Sequence, residues 1–116
     1  MRLQISAAVL CILLIFTAAA VNYRCMDRFI ASCCDEIEKM CRDEDADRGR
    51  LERLWRSKQP WLETVVHHDL LRDAEDALAQ FSAAADHDEL ISSAAMLRSA
   101  LYHIRSMEKL SVGNIL

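Results

Sequence analysis

The stretch CMDRFIASCCDEIEKMC, residues 25–41, carries the clearest helical pattern in the chain. Its apolar residues recur in alternating steps of four and three, at Met26, Ile30, Cys33, Ile37 and Met40. This spacing places all five side chains on one face of an α-helix. The stretch therefore predicts an amphipathic helix whose apolar face is buried, with Cys33 inside the buried seam.

Cysteines are concentrated in the same stretch, which holds Cys25, Cys33, Cys34 and Cys41. Cys34 and Cys41 would lie roughly 10.5 Å apart along a helix, which is too far for a disulfide. Zinc sites favour cysteines two to four residues apart, and the spacings here are eight, one and seven residues. We interpret the thiols as small apolar groups beside the seam, with disulfides between two copies as the alternative. The sequence leaves their oxidation state open.

The composition of the whole chain predicts the fold class. Its 116 residues include two glycines and one proline, so residues that favour turns are scarce. Long helices joined by short connections fit this composition, and a sheet does not. We predict an all-α protein.

The first 21 residues, MRLQISAAVLCILLIFTAAAV, carry no charged side chain after Arg2. Residues 3–21 would span roughly 28 Å as a helix, which is just enough to cross a bilayer. A secretory signal peptide is the alternative, because Ala18 and Ala20 have the spacing of small residues at a cleavage site. We predict an uncleaved transmembrane anchor over residues 1–21.

The charges that flank the apolar segment bear on its orientation. Arg2 and the amino terminus favour a cytoplasmic start, whereas Arg24 and Arg28 on the other flank weaken this bias. We predict a single-pass protein of the cell membrane, with residues 22–116 outside the cytoplasm.

Charge changes sign at the middle of the chain. Residues 35–47 hold seven acidic and two basic side chains, whereas residues 48–58 hold five basic side chains and one acidic side chain. We predict that a second helix starts near Asp47 and folds back so that the two charged stretches face each other. The net charge of −4 argues against a nucleic-acid-binding surface.

The segment SKQPWLE contains Pro60, which has no amide hydrogen and disfavours helical geometry at Gln59. The sequence therefore predicts a break or bend near residue 59. Trp55, Trp61 and Leu62 flank this point, and we interpret the tryptophans as core anchors there. An aromatic platform for a ligand is the alternative interpretation.

His67 and His68 raise the hypothesis of a metal site, because Glu63 precedes His67 by four residues and would share its helical face. His103 or Cys41 from another helix would have to complete such a site. We predict a partly buried, hydrogen-bonded histidine pair, and neither a metal nor another cofactor. No serine has the context of an activated nucleophile, so we predict no enzymatic activity.

The last helix has the clearest start signal. Asp86 and Glu89 have the spacing of a capping box, and an apolar stripe follows in steps of four and three to Ile104. We predict that this helix ends near Met107. The chain then closes on two aliphatic residues, Ile115 and Leu116, which we predict to dock onto the helices.

The segment HIRSMEKLSVGNIL, residues 103–116, resembles an uncharacterised bacterial family, together with Trp55, Trp61-Leu62 and His67-His68 at their spacing. The members of this family are short proteins, mainly of Gram-positive type bacteria. The resemblance implies one amino-terminal membrane span and a helical remainder, and it implies no activity. The cysteine cluster and the alanine-rich third and fourth helices depart from the family, so no thiol function is carried over.

Together these features predict an anchor that continues into a three- to four-helix antiparallel bundle of helical hairpins with a docked tail. The function that fits best is a non-enzymatic interaction or scaffold module at the cell envelope. Its partner would be the lipid bilayer and either an envelope protein or a second copy of the chain. Candidate contact residues are Trp55, Trp61, Leu62, Ile115 and Leu116. The alternative is a bundle that binds a small ligand or metal through His67 and His68.

Overall fold

The computed structural model describes residues 1–43 and 47–115, and within these ranges it describes side chains through Met107. The described residues form four α-helices: α1 (Arg2–Arg42), α2 (Gly49–Val65), α3 (His68–Ala83) and α4 (His87–Ile115). No strand occurs in these ranges, so the predicted all-α class is confirmed. Each helix contacts the next one along the chain, and α4 also contacts α1.

Helix α1 is a single helix of 41 residues, which corresponds to about 62 Å at the normal rise. Its second half buries all five residues of the predicted stripe, from Met26 to Met40, and adds Phe29. Burying one large apolar side chain stabilises the fold by about 1.5–3 kcal/mol relative to leaving it in water. The predicted seam is confirmed, and Cys33 lies inside it.

Asp47 organises the first turn of α2. Its Oδ1 accepts a hydrogen bond from the backbone N–H of Gly49 at 2.9 Å, and its Oδ2 accepts one from Arg53 at 2.6 Å. Gly49 leaves room for this pair, because a Cβ at that position would lie 3.0 Å from Arg53 Nη1. Helix α2 therefore begins at Gly49, close to the predicted start.

The acidic end of α1 and the basic start of α2 meet through one cross-helix ion pair of the described side chains. Arg50 Nε lies 3.4 Å from Glu36 Oε1, and Lys39 shares the same carboxylate at 3.7 Å. Other ion pairs in these segments are local, such as Arg42 with Glu38 at 2.6 Å. The basic partners in these pairs are at least 64% exposed, so each pair contributes roughly 0.2–1 kcal/mol and adds little to the stability of the hairpin.

Of the break or bend predicted near residue 59, the break is wrong, and the bend stays a prediction. Helix α2 continues through Pro60 and ends at Val65, and the chain turns at Val66 and His67 instead. Proline removes one backbone donor, which would have bonded to the carbonyl four residues earlier. Packing on both sides of Pro60 outweighs this loss, since Trp55 and Leu62 are both buried.

Helix α3 is started by a residue that the sequence did not mark as a cap. His67 Nδ1 accepts a hydrogen bond from the backbone N–H of Asp69 at 3.3 Å, in the way that a serine or aspartate cap would. The apolar face of this helix, which includes Leu71 and Phe81, is buried.

A tight connection of three residues joins α3 to α4. Asp86 Oδ1 accepts from the backbone N–H of Glu89 at 2.8 Å, and Glu89 Oε2 accepts from the N–H of Ala85 at 3.0 Å. These reciprocal bonds are those of a capping box, shifted by one residue on one side. Arg48, which precedes α2, donates a hydrogen bond to the carbonyl of Ala84. This bond joins the start of α2 to the connection between α3 and α4.

Helix α4 is longer than the sequence predicted. It continues past Met107 to Ile115, so the end predicted near Met107 is wrong. Its apolar stripe is buried as expected, from Leu90 through Ile104. Arg105 Nε lies 2.8 Å from Asp27 Oδ1, an ion pair that joins α4 to α1.

The second half of α1 and the helices α2, α3 and α4 share one hydrophobic core, and we call these residues, 22–107, the packed region. Each of the four helices contributes to this core. The described chain extends 67 Å along its longest axis and about 20 Å across it, because the first half of α1 projects beyond the packed region. The core thus accounts for only part of the apolar residues.

Candidate interaction surfaces

The first half of α1 is an apolar surface that the described chain leaves largely exposed, with only Phe16 and Ala19 partly buried. Its large aliphatic side chains from Leu3 to Val21 are all at least 50% exposed. This is the one helix in the described residues that is long and apolar enough to cross a membrane. A signal sequence or the core helix of a soluble protein meets the same criteria, but a core helix is mostly buried and this segment is not.

Three aromatic rings lie where the apolar segment meets the packed region. Phe29 is 5.6 Å from Trp55 and 6.1 Å from Trp61 between ring centroids, and the second pair is edge-to-face. The indole N–H of Trp61 donates to Asn22 Oδ1 at 3.1 Å. Asn22 is the first polar residue after the apolar run, so this bond fixes the end of α2 to the base of the segment.

The predicted contact residues have different environments. Trp55 and Leu62 are buried in the core, so they support the fold and present no surface to a partner. Trp61 is half-buried and keeps part of its ring accessible. Ile115 lies in the last turn of α4, where only the backbone is described, and Leu116 lies outside the described residues. Docking of these two side chains therefore stays a prediction.

The predicted arrangement of Glu63 and His67 on one helical face is wrong, because α2 ends at Val65 and His67 caps the next helix. The prediction that the histidines are partly buried is also wrong, since His67 and His68 are both exposed. Both are hydrogen-bonded, as His68 Nε2 lies 3.2 Å from Arg72 Nη2. Among the described residues, no three His, Cys, Asp or Glu side chains are placed to hold a metal ion.

The thiols divide into buried and exposed groups. Burial raises the pKa of Cys33 to about 12, so this thiol stays protonated and poorly nucleophilic. Burial also raises the pKa of Cys34, and Tyr102 and Arg98 of α4 partly offset that effect. Cys25 is exposed on α1, close to the end of the apolar segment. No two of the described cysteines are joined within the chain, and a disulfide between two copies stays a prediction.

Sequence reasoning missed a surface formed by α3 and α4. Two adjoining depressions of about 590 and 460 Å³ follow the line where these helices meet, and they share Gln80 and Met96. We call them the α3–α4 groove. Small side chains such as Ala77 and Ala84 keep it open. The alanine-rich composition of both helices was the available signal.

Acidic side chains border this groove along its length. Asp73 and Asp76 come from α3, and Asp88 and Glu89 come from α4. No lysine or arginine occurs among the residues that line it, and His103 lies at one end. The arrangement is therefore an open groove of negative charge with buried alanines, Ala77 and Ala84, on its floor and the exposed side chain of Met96 between its two depressions.

Comparisons with known proteins found no match to this chain. The chain matches no family model, no curated protein and no solved structure. The resemblance of residues 103–116 to a bacterial family stays a prediction, and any function rests on the surfaces described above.

Proposed function

We propose that this protein is a non-enzymatic, membrane-anchored interaction module, in which the first half of α1 spans the bilayer and the packed region is an antiparallel four-helix bundle at the cell envelope. The observation that carries the proposal is the division of α1. One unbroken helix leaves its first half apolar and exposed, and buries a stripe of its second half in the core.

The continuity of α1 favours an anchor over a cleaved signal. No glycine or proline occurs in residues 1–48, and α1 passes through Ala18, Ala20 and Val21 without a break. The exposed apolar run is also longer than the 7–15 residues typical of a signal-peptide core. A segment of this length and composition gains free energy by leaving water for hydrocarbon.

We place the amino terminus in the cytoplasm and the packed region on the opposite side of the membrane. Arg2 supports this orientation, and Arg24 and Arg28 at the other end of the segment oppose it. An envelope protein of this kind would meet its partner outside the cytoplasm.

The α3–α4 groove supports the interaction role. Its acidic border and apolar floor fit an amphipathic helix with basic flanks, which would pair its charges with Asp73, Asp76, Asp88 and Glu89.

Flotation with lipid vesicles tests the anchor. The full chain should rise with phosphatidylcholine vesicles in a density gradient and resist extraction at alkaline pH. The intact mass of the protein recovered from cells should correspond to a chain that still contains residues 1–21. Recovery of a soluble form that begins near Asn22 would contradict the anchor.

A defined peptide tests the groove. A synthetic amphipathic peptide of leucine and lysine should bind the chain, and the D73N/D76N variant should weaken binding at least fivefold in fluorescence anisotropy at low salt. The matched control is D35N/E38Q, which removes the same charge from exposed positions on α1. Equal losses in both variants would mean that net charge, and not the groove, attracts the peptide.

A further inference from the structure

The helices of the packed region end at different heights. Helices α3 and α4 share one end, because only three residues connect them. Helix α3 has 16 residues and α4 has 29. The far end of α4 therefore projects on the order of 15–20 Å beyond the start of α3.

This projecting end runs beside the first half of α1. The ion pair between Arg105 and Asp27 fixes the register of the two helices, and Tyr23 lines a depression with Tyr102 and Ser106. Chain numbers rise along α4 as they fall along α1. With the same rise in both helices, residues 110–115 lie level with roughly residues 17–22.

Burial within the apolar segment is uneven, and it supports this register. Phe16 and Ala19 are partly buried, whereas the other described residues from 1 to 21 are exposed. Together with Tyr23 and Met26 they follow steps of three and four, so they continue the stripe of α1 that is buried in the packed region. By the register above, the last turns of α4 reach this height, and α2 comes close to it, because Trp61 is bonded to Asn22 and α2 ends four residues later at Val65.

The charged side chains of α1 and α4 stop at the same height. Helix α1 has no charged side chain between Arg2 and Arg24, and α4 has none between Lys109 and its end at Ile115. By the register above, Lys109 lies level with about residue 23. Two uncharged helical segments therefore lie side by side, directly beyond a layer of charged residues on each helix.

Aromatic and amide groups mark this boundary. Trp61 is bonded to Asn22, and Tyr23 follows directly. Tyrosine and tryptophan side chains favour the headgroup level of a bilayer, where an apolar ring and a polar tip are both satisfied. The boundary of the hydrocarbon would then fall near Asn22, with residues 110–115 on its lipid side.

We propose that the last turns of α4, residues 110–115, lie within the leaflet nearest the packed region, beside Phe16 and Ala19, so that the chain contacts lipid through two helices. This inference rests on the proposed anchor. Residues 110–115 rise about 9 Å along the helix, which is less than a third of a hydrocarbon core roughly 30 Å thick, so α4 enters the membrane without crossing it.

Quenching of tryptophan fluorescence by lipids brominated on their acyl chains tests the depth of each position. The reporter is Ile115→Trp in a full chain that also carries W55F and W61F, reconstituted in phosphatidylcholine vesicles with and without brominated lipid. The matched control is Ile91→Trp in the same background, because Ile91 is exposed at the opposite end of α4. A third chain with W55F alone keeps Trp61 as a native marker of the boundary. Circular dichroism confirms that each variant keeps its helices.

We expect brominated lipid to reduce the emission of the Ile115→Trp reporter at least threefold. The emission of Trp61 should fall by less, and that of the Ile91→Trp control should hardly change. Aqueous iodide should show the reverse order. If the chain floats with vesicles but iodide quenches the Ile115→Trp reporter as strongly as the control, the inference is wrong and the anchor stands. If the chain does not float, the anchor and the inference both fail.

Discussion

The two halves of α1 have the same secondary structure and opposite relationships to the rest of the protein. Residues 3–21 are apolar on every side and at most partly covered, whereas residues 22–42 bury one stripe and expose charged residues elsewhere. A helix that is apolar all round suits lipid, and one with a single apolar stripe suits packing against protein. The comparison shows that the distribution of apolar residues, and not the helix itself, determines which surroundings each half requires.

The largest effect should come from charges placed in the first half. L10D/L14D should lower partition into vesicles on the order of 10⁴-fold, because each aspartate near a membrane centre costs about 2.5–3.5 kcal/mol. Flotation measures this loss, and L10A/L14A serves as the control that keeps the segment apolar. The thermal unfolding of the packed region should not change. If L10D/L14D still floats with vesicles, the apolar character of the first half of α1 does not determine its binding to lipid, and the distinction between the two halves is wrong.

The second half should respond in the opposite way. Ile37 is fully buried, so Ile37→Ala should lower the free energy of unfolding by about 2–5 kcal/mol through lost burial and a residual cavity. Urea denaturation followed by circular dichroism measures this change. The control is Ser32→Ala, an exposed change on the same helix, which should stay within about 0.5 kcal/mol. Vesicle binding should be unaffected, and a loss of it would show that the halves are not independent.

A smaller effect should appear in the pH dependence of unfolding. Folding raises the pKa of Cys33 from 9.0 to about 12, so in that range the folded chain holds a proton that the unfolded chain has lost. Its contribution to stability is therefore complete below pH 9 and declines as pH rises toward 12. Urea denaturation at pH 8, 9 and 10 should show a steeper decline for the wild type than for Cys33→Ala. If the free energy of unfolding declines equally with pH in both chains, burial in the second half of α1 does not raise the pKa of the Cys33 thiol.

The smallest effect concerns the contact between α1 and α4 just beyond the boundary between the halves. A double-mutant cycle with Asp27→Asn and Arg105→Gln should give a coupling of about 0.5 kcal/mol, since both side chains are more than 40% exposed. High salt should reduce it further. A coupling near zero at low salt would mean that this pair does not fix the register of the two helices.

Local periodicity was enough to predict most of the fold. The stripes of α1 and α4 and the capping box at Asp86 and Glu89 depend on residues a few positions apart, and the structure confirms them. The break near Pro60 was wrong because tertiary packing of Trp55 and Leu62 outweighs one missing backbone bond. The cap by His67 was missed because histidine has no strong preference for that position.

The candidate surfaces were harder to predict than the helices. The apolar segment was visible because its signal lies in consecutive residues. The α3–α4 groove needs Asp73 and Asp88 from different helices to border one space, and no pattern within one helix shows that. Trp55 was interpreted as a core anchor and also named as a candidate contact residue, and its burial supports the first of these interpretations. Sequence spacing reports which residues share a helix face, but not which faces remain uncovered.

The unbroken course of α1 has a mechanical consequence. With no glycine or proline before Gly49, the rod that would cross the bilayer is the same rod that supports the packed region. A hydrophobic stretch that exceeds the local thickness of a membrane tilts to fit, and one that matches it stands upright. In the proposed arrangement, a thinner membrane would incline the packed region together with α1 and change the direction in which the α3–α4 groove faces.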